Sequence, residues 1–146
     1  RVDGLALSTD LMCGFPTESE DDFTATLGLM AAARFDDAFT FKYSPRPGTK
    51  AARMNDDVSE DLKIERLERM IAMGRCLADE SRRRMIGSEV EGWLENISPR
   101  DDSEWSGRTR CGRMALVPGA FGRGDVVNLK VEEVKGFSLW GKLLNP

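Results

Sequence analysis

The chain opens with apolar runs separated by helical spacing. Ala6 to Phe15 reads as a buried strand, ended by Gly14 and Pro16. Thr17-Glu18-Ser19-Glu20 fits a capping box, with Thr17 as the cap and Glu20 reaching back. Phe23, Leu27, Met30 and Ala31 then share one face of a helix running to about Ala33. From Ala38 to Ser44 the period changes to two. Phe39, Phe41 and Tyr43 fall on one side, and Ala38, Thr40, Lys42 and Ser44 on the other. Two strands joined by a helix are expected to lie parallel, with a right-handed crossover. Pro45, Pro47 and Gly48 forbid continuation and open a loop to about Val58.

A long helix is predicted from about Ser59 to Met85, capped by Asp57 with Glu60 three residues on. Its apolar stripe is Leu62, Ile64, Leu67, Met70, Ile71 and Leu77. Acidic residues crowd its start and Arg82, Arg83 and Arg84 close it, as the helix dipole favours. The arginine triplet is either a solvated helix end or a phosphate contact. Glu65–Arg69, Asp79–Arg83 and Glu80–Arg84 have the favourable i,i+4 order. Gly87 marks a boundary. Beyond it come short alternating segments, Val90–Glu95, Gly107–Cys111, Met114–Val117, Val126–Val134 and Leu139–Leu144. Val127, Leu129 and Val131 point one way, and Asn128, Lys130 and Glu132 the other. Such strands favour a small closed barrel, because closure removes exposed edges. The expected organisation is an α/β module at residues 1–85 and an all-β module at 86–146.

The α/β module is incomplete by its own logic. One strand–helix–strand unit and a long helix cannot cover both faces of a parallel sheet. A slice through a larger α/β barrel accounts for this; pairing with the second module or with another copy of the chain is the alternative. The isolated chain is therefore expected to self-associate or to be marginally stable.

Composition narrows the chemistry. Of 146 residues, 40% are hydrophobic and 32% charged, the balance of a folded domain rather than a disordered one. No apolar run reaches the length of a membrane span and no secretory h-region is visible, so no membrane partner and a cytoplasmic location are expected. There is no histidine, which removes histidine general-base chemistry. Cys13, Cys76 and Cys111 are far apart and odd in number, which argues against a zinc or iron–sulfur site built from this chain and for free thiols. Net charge is −4, but Ser106 to Lys142 carries seven cations against three acidic residues, a local +4. A basic face on an acidic chain is compatible with nucleic acid.

Two stretches carry a family resemblance. Ser8-Thr9-Asp10-Leu11-Met12-Cys13-Gly14-Phe15-Pro16-Thr17-Glu18, followed by Asp21-Asp22-Phe23-Thr24-Ala25-Thr26-Leu27, resembles the fifth strand and following helix of the radical-SAM methylthiotransferases. Phe35 to Ala52, with Lys42-Tyr43-Ser44-Pro45-Arg46-Pro47-Gly48-Thr49 at its centre, resembles their sixth strand and the loop after it. The Arg46-Pro47 form is similar to the branch acting on tRNA, the MiaB-type tRNA 2-methylthio-N6-isopentenyladenosine synthases. Leu94-Glu95, Ser106-Gly107-Arg108-Thr109-Arg110, Val117-Pro118-Gly119 and Ser138-Leu139-Trp140-Gly141-Lys142 resemble elements of that family's C-terminal, RNA-binding TRAM barrel. Trp105 and Cys111-Gly112 depart from the usual pattern.

The resemblance implies a fold: the last two strands and helices of a radical-SAM barrel, then a small TRAM-like barrel. It implies a parent enzyme that uses S-adenosylmethionine and two [4Fe-4S] clusters to place a methylthio group on C2 of N6-isopentenyladenosine beside the anticodon. The cluster-binding Cys-x-x-x-Cys-x-x-Cys motif is absent, so the chain supplies no metal ligand and no catalytic residue, and alone it is expected to be inactive. Its partners would be the anticodon stem-loop of tRNA and the N-terminal remainder of the same enzyme. Asp10, Gly14, Tyr43 and Ser44 would belong to the S-adenosylmethionine rim. Asp10 would accept from ribose hydroxyls, Gly14 would allow close backbone approach, and Ser44 would offer backbone groups to an adenine edge. Each also has a purely structural reading, as a satisfied carboxylate or an ordinary strand end. Lys42, Arg46, Arg108, Arg110, Arg113 and Lys130 would hold RNA. Trp93, Trp105 and Trp140 would either stack on unpaired bases or fill the barrel core. Three alternatives stay open: a sister enzyme acting on threonylcarbamoyladenosine, one acting on a ribosomal protein, and a non-catalytic RNA-binding protein that keeps the barrel.

Overall fold

The structure, a computed structural model, describes residues 4–144; residues 1–3 and 145–146 of the two expected modules lie outside it. The chain divides into two compact units, Leu7–Ala78 and the residues from Asp79 onward together with Gly4–Ala6.

In the first unit, β1 (Ser8–Cys13) and β2 (Asp37–Lys42) form a two-stranded parallel sheet, with Asp10 opposite Phe39 and Met12 opposite Phe41. Helix α1 (Glu20–Ala33) connects them, and most of α2 (Glu60–Arg83) completes the unit. The strands turn Leu11, Cys13 and Ala38 towards the helices. There they meet Phe23, Met30, Met70, Leu27, Leu67, Met73 and Leu77 in one core. Each large side chain fully buried here contributes about 1.5–3 kcal/mol. The opposite face of the sheet is open. Met12, Phe39 and Phe41 are each about half exposed on it.

Several local expectations shift. The cap of α1 is Ser19, not Thr17; its hydroxyl accepts from the Asp22 N–H while the Asp22 carboxylate accepts from the Ser19 N–H. Thr17 instead sits at φ 74°, where its N–H donates to Asp57 Oδ1 at 2.7 Å. Asp57 is thereby withdrawn from capping α2, and the Ser59 hydroxyl accepts from Leu62 N–H instead. Tyr43 does not share the face of Phe39 and Phe41. It lies past the end of β2 and is buried, while those two are open. In α2, Ile64 of the expected stripe is exposed, whereas Lys63 and Arg66 are 2% exposed. The i,i+4 pairs Glu65–Arg69, Asp79–Arg83 and Glu80–Arg84 all form, at 3.6, 2.7 and 3.3 Å.

The second unit is a closed five-stranded barrel of β3 (Glu89–Ser98), β4 (Asp101–Thr109), β5 (Met114–Pro118), β6 (Val126–Lys135) and β7 (Ser138–Leu143), ordered β3-β4-β5-β7-β6 with β6 returning to β3. The β5–β7 contact is parallel and the others antiparallel. Leu94, Ala115, Val117, Val127 and Leu129 form the interior, with Val90, Trp105 and Phe121 packed against it. Val131 is buried and Asn128, Lys130 and Glu132 are exposed, as the alternation requires. β4 begins six residues earlier than its apolar pattern indicates, because Asp101-Asp102-Ser103-Glu104-Trp105-Ser106 is mostly polar. Inside that stretch Glu104, 7% exposed, accepts from Trp140 Nε1 at 2.7 Å and Lys135 Nζ at 2.8 Å. Two glycines let strands approach closely. A Cβ at Gly107 would run into the backbone of Trp93 and Leu94, and one at Gly141 into the backbone of Lys130.

Candidate nucleic-acid interface and nucleoside rim

The carboxyl end of β1 is held by a buried polar network. Gly14, at φ 72°, donates its N–H to Glu18 Oε2 at 2.6 Å. Arg66 donates Nη1 to the same oxygen at 2.7 Å and to the Glu18 carbonyl at 3.0 Å. Its Nη2 reaches Glu20 at 3.3 Å, and Arg69 reaches Glu20 at 2.8 Å; both guanidinia also face the Phe23 ring. Lys63 runs its stem past Gly14, where any Cβ would collide with it, and ends on Asp56 at 2.6 Å and Glu60 at 3.2 Å. The close approach at Gly14 is therefore made by Lys63, and its N–H already has a partner. Hydrogen bonding to Asp56 first, opposed by desolvation, raises the Lys63 pKa. Burial raises that of Cys13, whose thiol donates towards the Phe41 and Lys63 carbonyls.

On the rim itself, Asp10 is exposed on the open sheet face with Met12, Phe39 and Phe41. A carboxylate beside an apolar wall suits a nucleoside, offering acceptors to ribose hydroxyls and a surface to a base. Tyr43 is 6% exposed, packs edge-on to Phe15 at 5.3 Å and has a buried hydroxyl with no hydrogen-bond partner among the described residues. Ser44 is exposed just after it. Lys42 is engaged by Glu60 at 2.6 Å, whereas the exposed Arg46 uses its carbonyl to accept from the Thr49 hydroxyl at 2.8 Å and its guanidinium has no partner among the described residues.

On the barrel, cross-strand register brings Trp93 of β3 beside Arg108 of β4 and Val126 of β6. Glu91, Trp93, Glu95, Arg108, Thr109, Arg110 and Val126 line a shallow cleft of about 350 Å³. Arg108 lies 3.6 Å from Glu95, and Arg110 lies 3.8 Å from Glu91. Lys130 is exposed on the neighbouring strand, without a partner among the described residues. Arg113 departs from this group: its Nη2 donates to the Ser81 hydroxyl at 2.9 Å. The three tryptophans separate. Trp105 joins the core, Trp140 is half-buried under Lys135, and Trp93 is 63% exposed. At the helix end, Arg82 stacks on Phe137, and Arg83 and Arg84 pair within the helix. The Glu18–Arg66 network and the buried Glu104 escape sequence reading, since nothing in spacing marks which charges will be covered.

The barrel coincides with a known family, because residues 83–144 match the model described as TRAM domain. Over nearly its full length the chain is similar to tRNA-2-methylthio-N(6)-dimethylallyladenosine synthases, the relationship that its motifs indicate. Against that of Porphyromonas gingivalis W83 it is 42% identical over 141 residues, 95% of this chain and 30% of the relative. Against that of Acetivibrio thermocellus it is 38% identical, covering 99% of this chain and 30% of the relative. Against that of Tropheryma whipplei Twist it is 45% identical over 118 residues, 78% of this chain and 25% of the relative. The chain thus spans about 30% or less of the length of these relatives, and its match extends well beyond the residues that match the TRAM model. Among the described residues no cluster of histidine, cysteine or acidic side chains could hold a metal ion, and no helix is long and apolar enough to cross a membrane.

Proposed function

We propose that this chain is the tRNA-gripping portion of a radical-SAM methylthiotransferase that acts on C2 of N6-isopentenyladenosine (the dimethylallyl adenosine of the relatives' names). The observation that carries this is a 42% identity extending over 95% of the chain, through both units rather than the TRAM domain alone. That extent also favours the enzyme over a free-standing RNA-binding barrel. All three relatives carry the same substrate in their names, which favours it over threonylcarbamoyladenosine or a ribosomal protein.

Within this reading Leu7–Ala78 is the end of a radical-SAM barrel, and its open sheet face is the barrel's inner wall. Asp10 is the nucleoside-facing carboxylate, with Tyr43 and Ser44 at the strand end beside it. S-adenosylmethionine, when bound, supplies the radical chemistry; the residues here bind and orient its nucleoside. Gly14 acts indirectly, by letting Lys63 and Glu18 fix the loop. The [4Fe-4S] clusters have no ligands assigned in this chain. Lys42, Arg46, Arg108, Arg110 and Lys130 hold phosphates, with Arg113 bracing the barrel from Ser81 rather than touching RNA. The module boundary is drawn near residue 85, at the Gly87 turn.

Binding of a fluorescent anticodon stem-loop to the chain, titrated with salt, tests this. Each neutralised duplex phosphate contributes about −0.9 to the slope of log affinity against log salt, so contacts from all five cations give roughly −4.5. Affinity that ignores salt, or equal binding of an uncharged competitor, would overturn the RNA reading.

A further inference from the structure

We infer that the cleft around Trp93 is a stacking site for one unpaired nucleotide of single-stranded RNA, whose phosphate takes the place of Glu91 and Glu95 on Arg110 and Arg108. This rests on the RNA-binding reading above and deepens it.

Trp93 is the exposed tryptophan of the barrel, and Val126, 59% exposed, extends its apolar surface across the adjoining strand. The indole is carried on rigid backbone: Gly107 lets β4 press against the Trp93 carbonyl, and Leu94 exchanges backbone hydrogen bonds with Asp125 and Gly124. A flat π-surface fixed in place stacks any base at little entropic cost, and such stacking is sequence-tolerant. Two guanidinia flank it, but each faces a carboxylate, so in the free protein this cluster has no net charge to attract RNA.

The ion pairs are poorly made. At 3.6 and 3.8 Å, with the four side chains 44–90% exposed, they are close charges rather than good hydrogen bonds. Exposed pairs of this kind are worth at most about 1 kcal/mol each. A phosphate with several acceptor oxygens, delivered by a nucleotide already stacked on Trp93, outcompetes them. Arg123 adds a cation with no partner among the described residues, on the loop whose Gly124 and Asp125 bond to Leu94. The two glutamates thereby make the site depend on stacking: a duplex, whose bases are not available, displaces them without that assistance.

The test uses the full chain with single-stranded oligoadenylate of about eight nucleotides and an A-form duplex of similar length. Trp93→Ala should weaken oligoadenylate binding about tenfold and leave duplex binding unchanged, with Trp93→Phe intermediate. The Glu91→Gln, Glu95→Gln double variant should tighten oligoadenylate binding about three- to fivefold. A charge-matched control, Glu132→Gln with Asp102→Asn, should do clearly less. Binding of oligoadenylate that is the same in the Trp93 variants and in the control would overturn this site while leaving the RNA reading intact. Failure of the unaltered chain to bind either RNA would overturn both.

Discussion

The two units treat hydrophobic surface in opposite ways. The barrel closes on itself: every strand has two neighbours, and Leu94, Ala115, Val117, Val127 and Leu129 fill its interior, while Trp93 and Val126 stay exposed on its outer surface. The α/β unit buries one face of a two-stranded parallel sheet and leaves Met12, Phe39 and Phe41 open on the other. Parallel sheets are ordinarily covered on both faces and have more than two strands. The barrel is thus complete as a folding problem, whereas the α/β unit is internally tied together by charge and still lacks neighbours on its sheet. What compensates is the Glu18–Arg66 network, which pins the loop after β1 to α2.

The largest expected effect therefore comes from Arg66→Met. It removes the guanidinium that satisfies Glu18, itself only 10% exposed, and strands a buried carboxylate. Breaking such a pair costs about 3–5 kcal/mol. The units can be read separately because all three tryptophans, Trp93, Trp105 and Trp140, belong to the barrel, while most helix belongs to Leu7–Ala78. Arg66→Met should lower the midpoint of the helical circular dichroism transition and leave that of tryptophan fluorescence in place; a common shift of both would erase the contrast between the units. Gly107→Ala is the converse experiment. Its Cβ meets backbone that cannot step aside, so the barrel should lose about 1–3 kcal/mol, seen by tryptophan fluorescence.

This contrast also explains what was legible in the sequence. The alternation of Val127 to Glu132 and the helical spacing of Phe23, Leu27 and Met30 report burial by side-chain type, whereas Ala31 of the expected helix face and Val126 at the strand's start are exposed. The motif Ser106-Gly107-Arg108-Thr109-Arg110 singles out Arg108 and Arg110, and the fold sets both along one cleft. Polar residues that are buried by partners leave no such trace: Arg66, Lys63 and Glu104 look like any surface charge until the fold brings Glu18, Asp56 and Lys135 to them. The capping residue of α1 is ambiguous in sequence for a related reason. Thr17 and Ser19 both suit an N-cap, and the choice fell to Ser19 because Asp57, 40 residues on from Thr17, holds the Thr17 N–H. Trp93 was open to either reading, since an aromatic at a strand position packs inward or outward according to register alone.

A smaller effect separates incompleteness from instability. Phe39→Thr with Phe41→Thr removes apolar surface that is already half exposed, so stability should change by less than about 1 kcal/mol. Association should change much more. If the open face drives self-association, sedimentation velocity will show the unaltered chain concentration-dependent and the double variant monomeric. An unaltered chain that is already monomeric at all concentrations would mean that the face is tolerated without a partner.

The smallest effect is the acid sensitivity of the same unit. Glu20 is held below the ordinary glutamate pKa by its hydrogen bond to Arg69, and Glu60 by its hydrogen bond to Lys42. A carboxylate depressed in the folded state binds its proton less readily than in the unfolded chain. Its contribution is therefore complete above the unfolded value of about 4.3 and disappears as pH falls through the lower folded value. Lys63 works in the reverse sense: raised mainly by its Asp56 hydrogen bond, it stabilises below about pH 10.4 and is lost as pH rises through its folded value. Burial raises the Cys13 thiol, so its stabilisation is lost from the unfolded value of about 8.5 upward, and the unit's helical transition should be flat between about pH 5 and 8 and fall on either side. Glu20→Gln should flatten part of the acid limb without touching the alkaline one. An acid limb that Glu20→Gln leaves unchanged would assign the sensitivity to other carboxylates, with Asp22, depressed by its Ser19 capping bonds, the next to test.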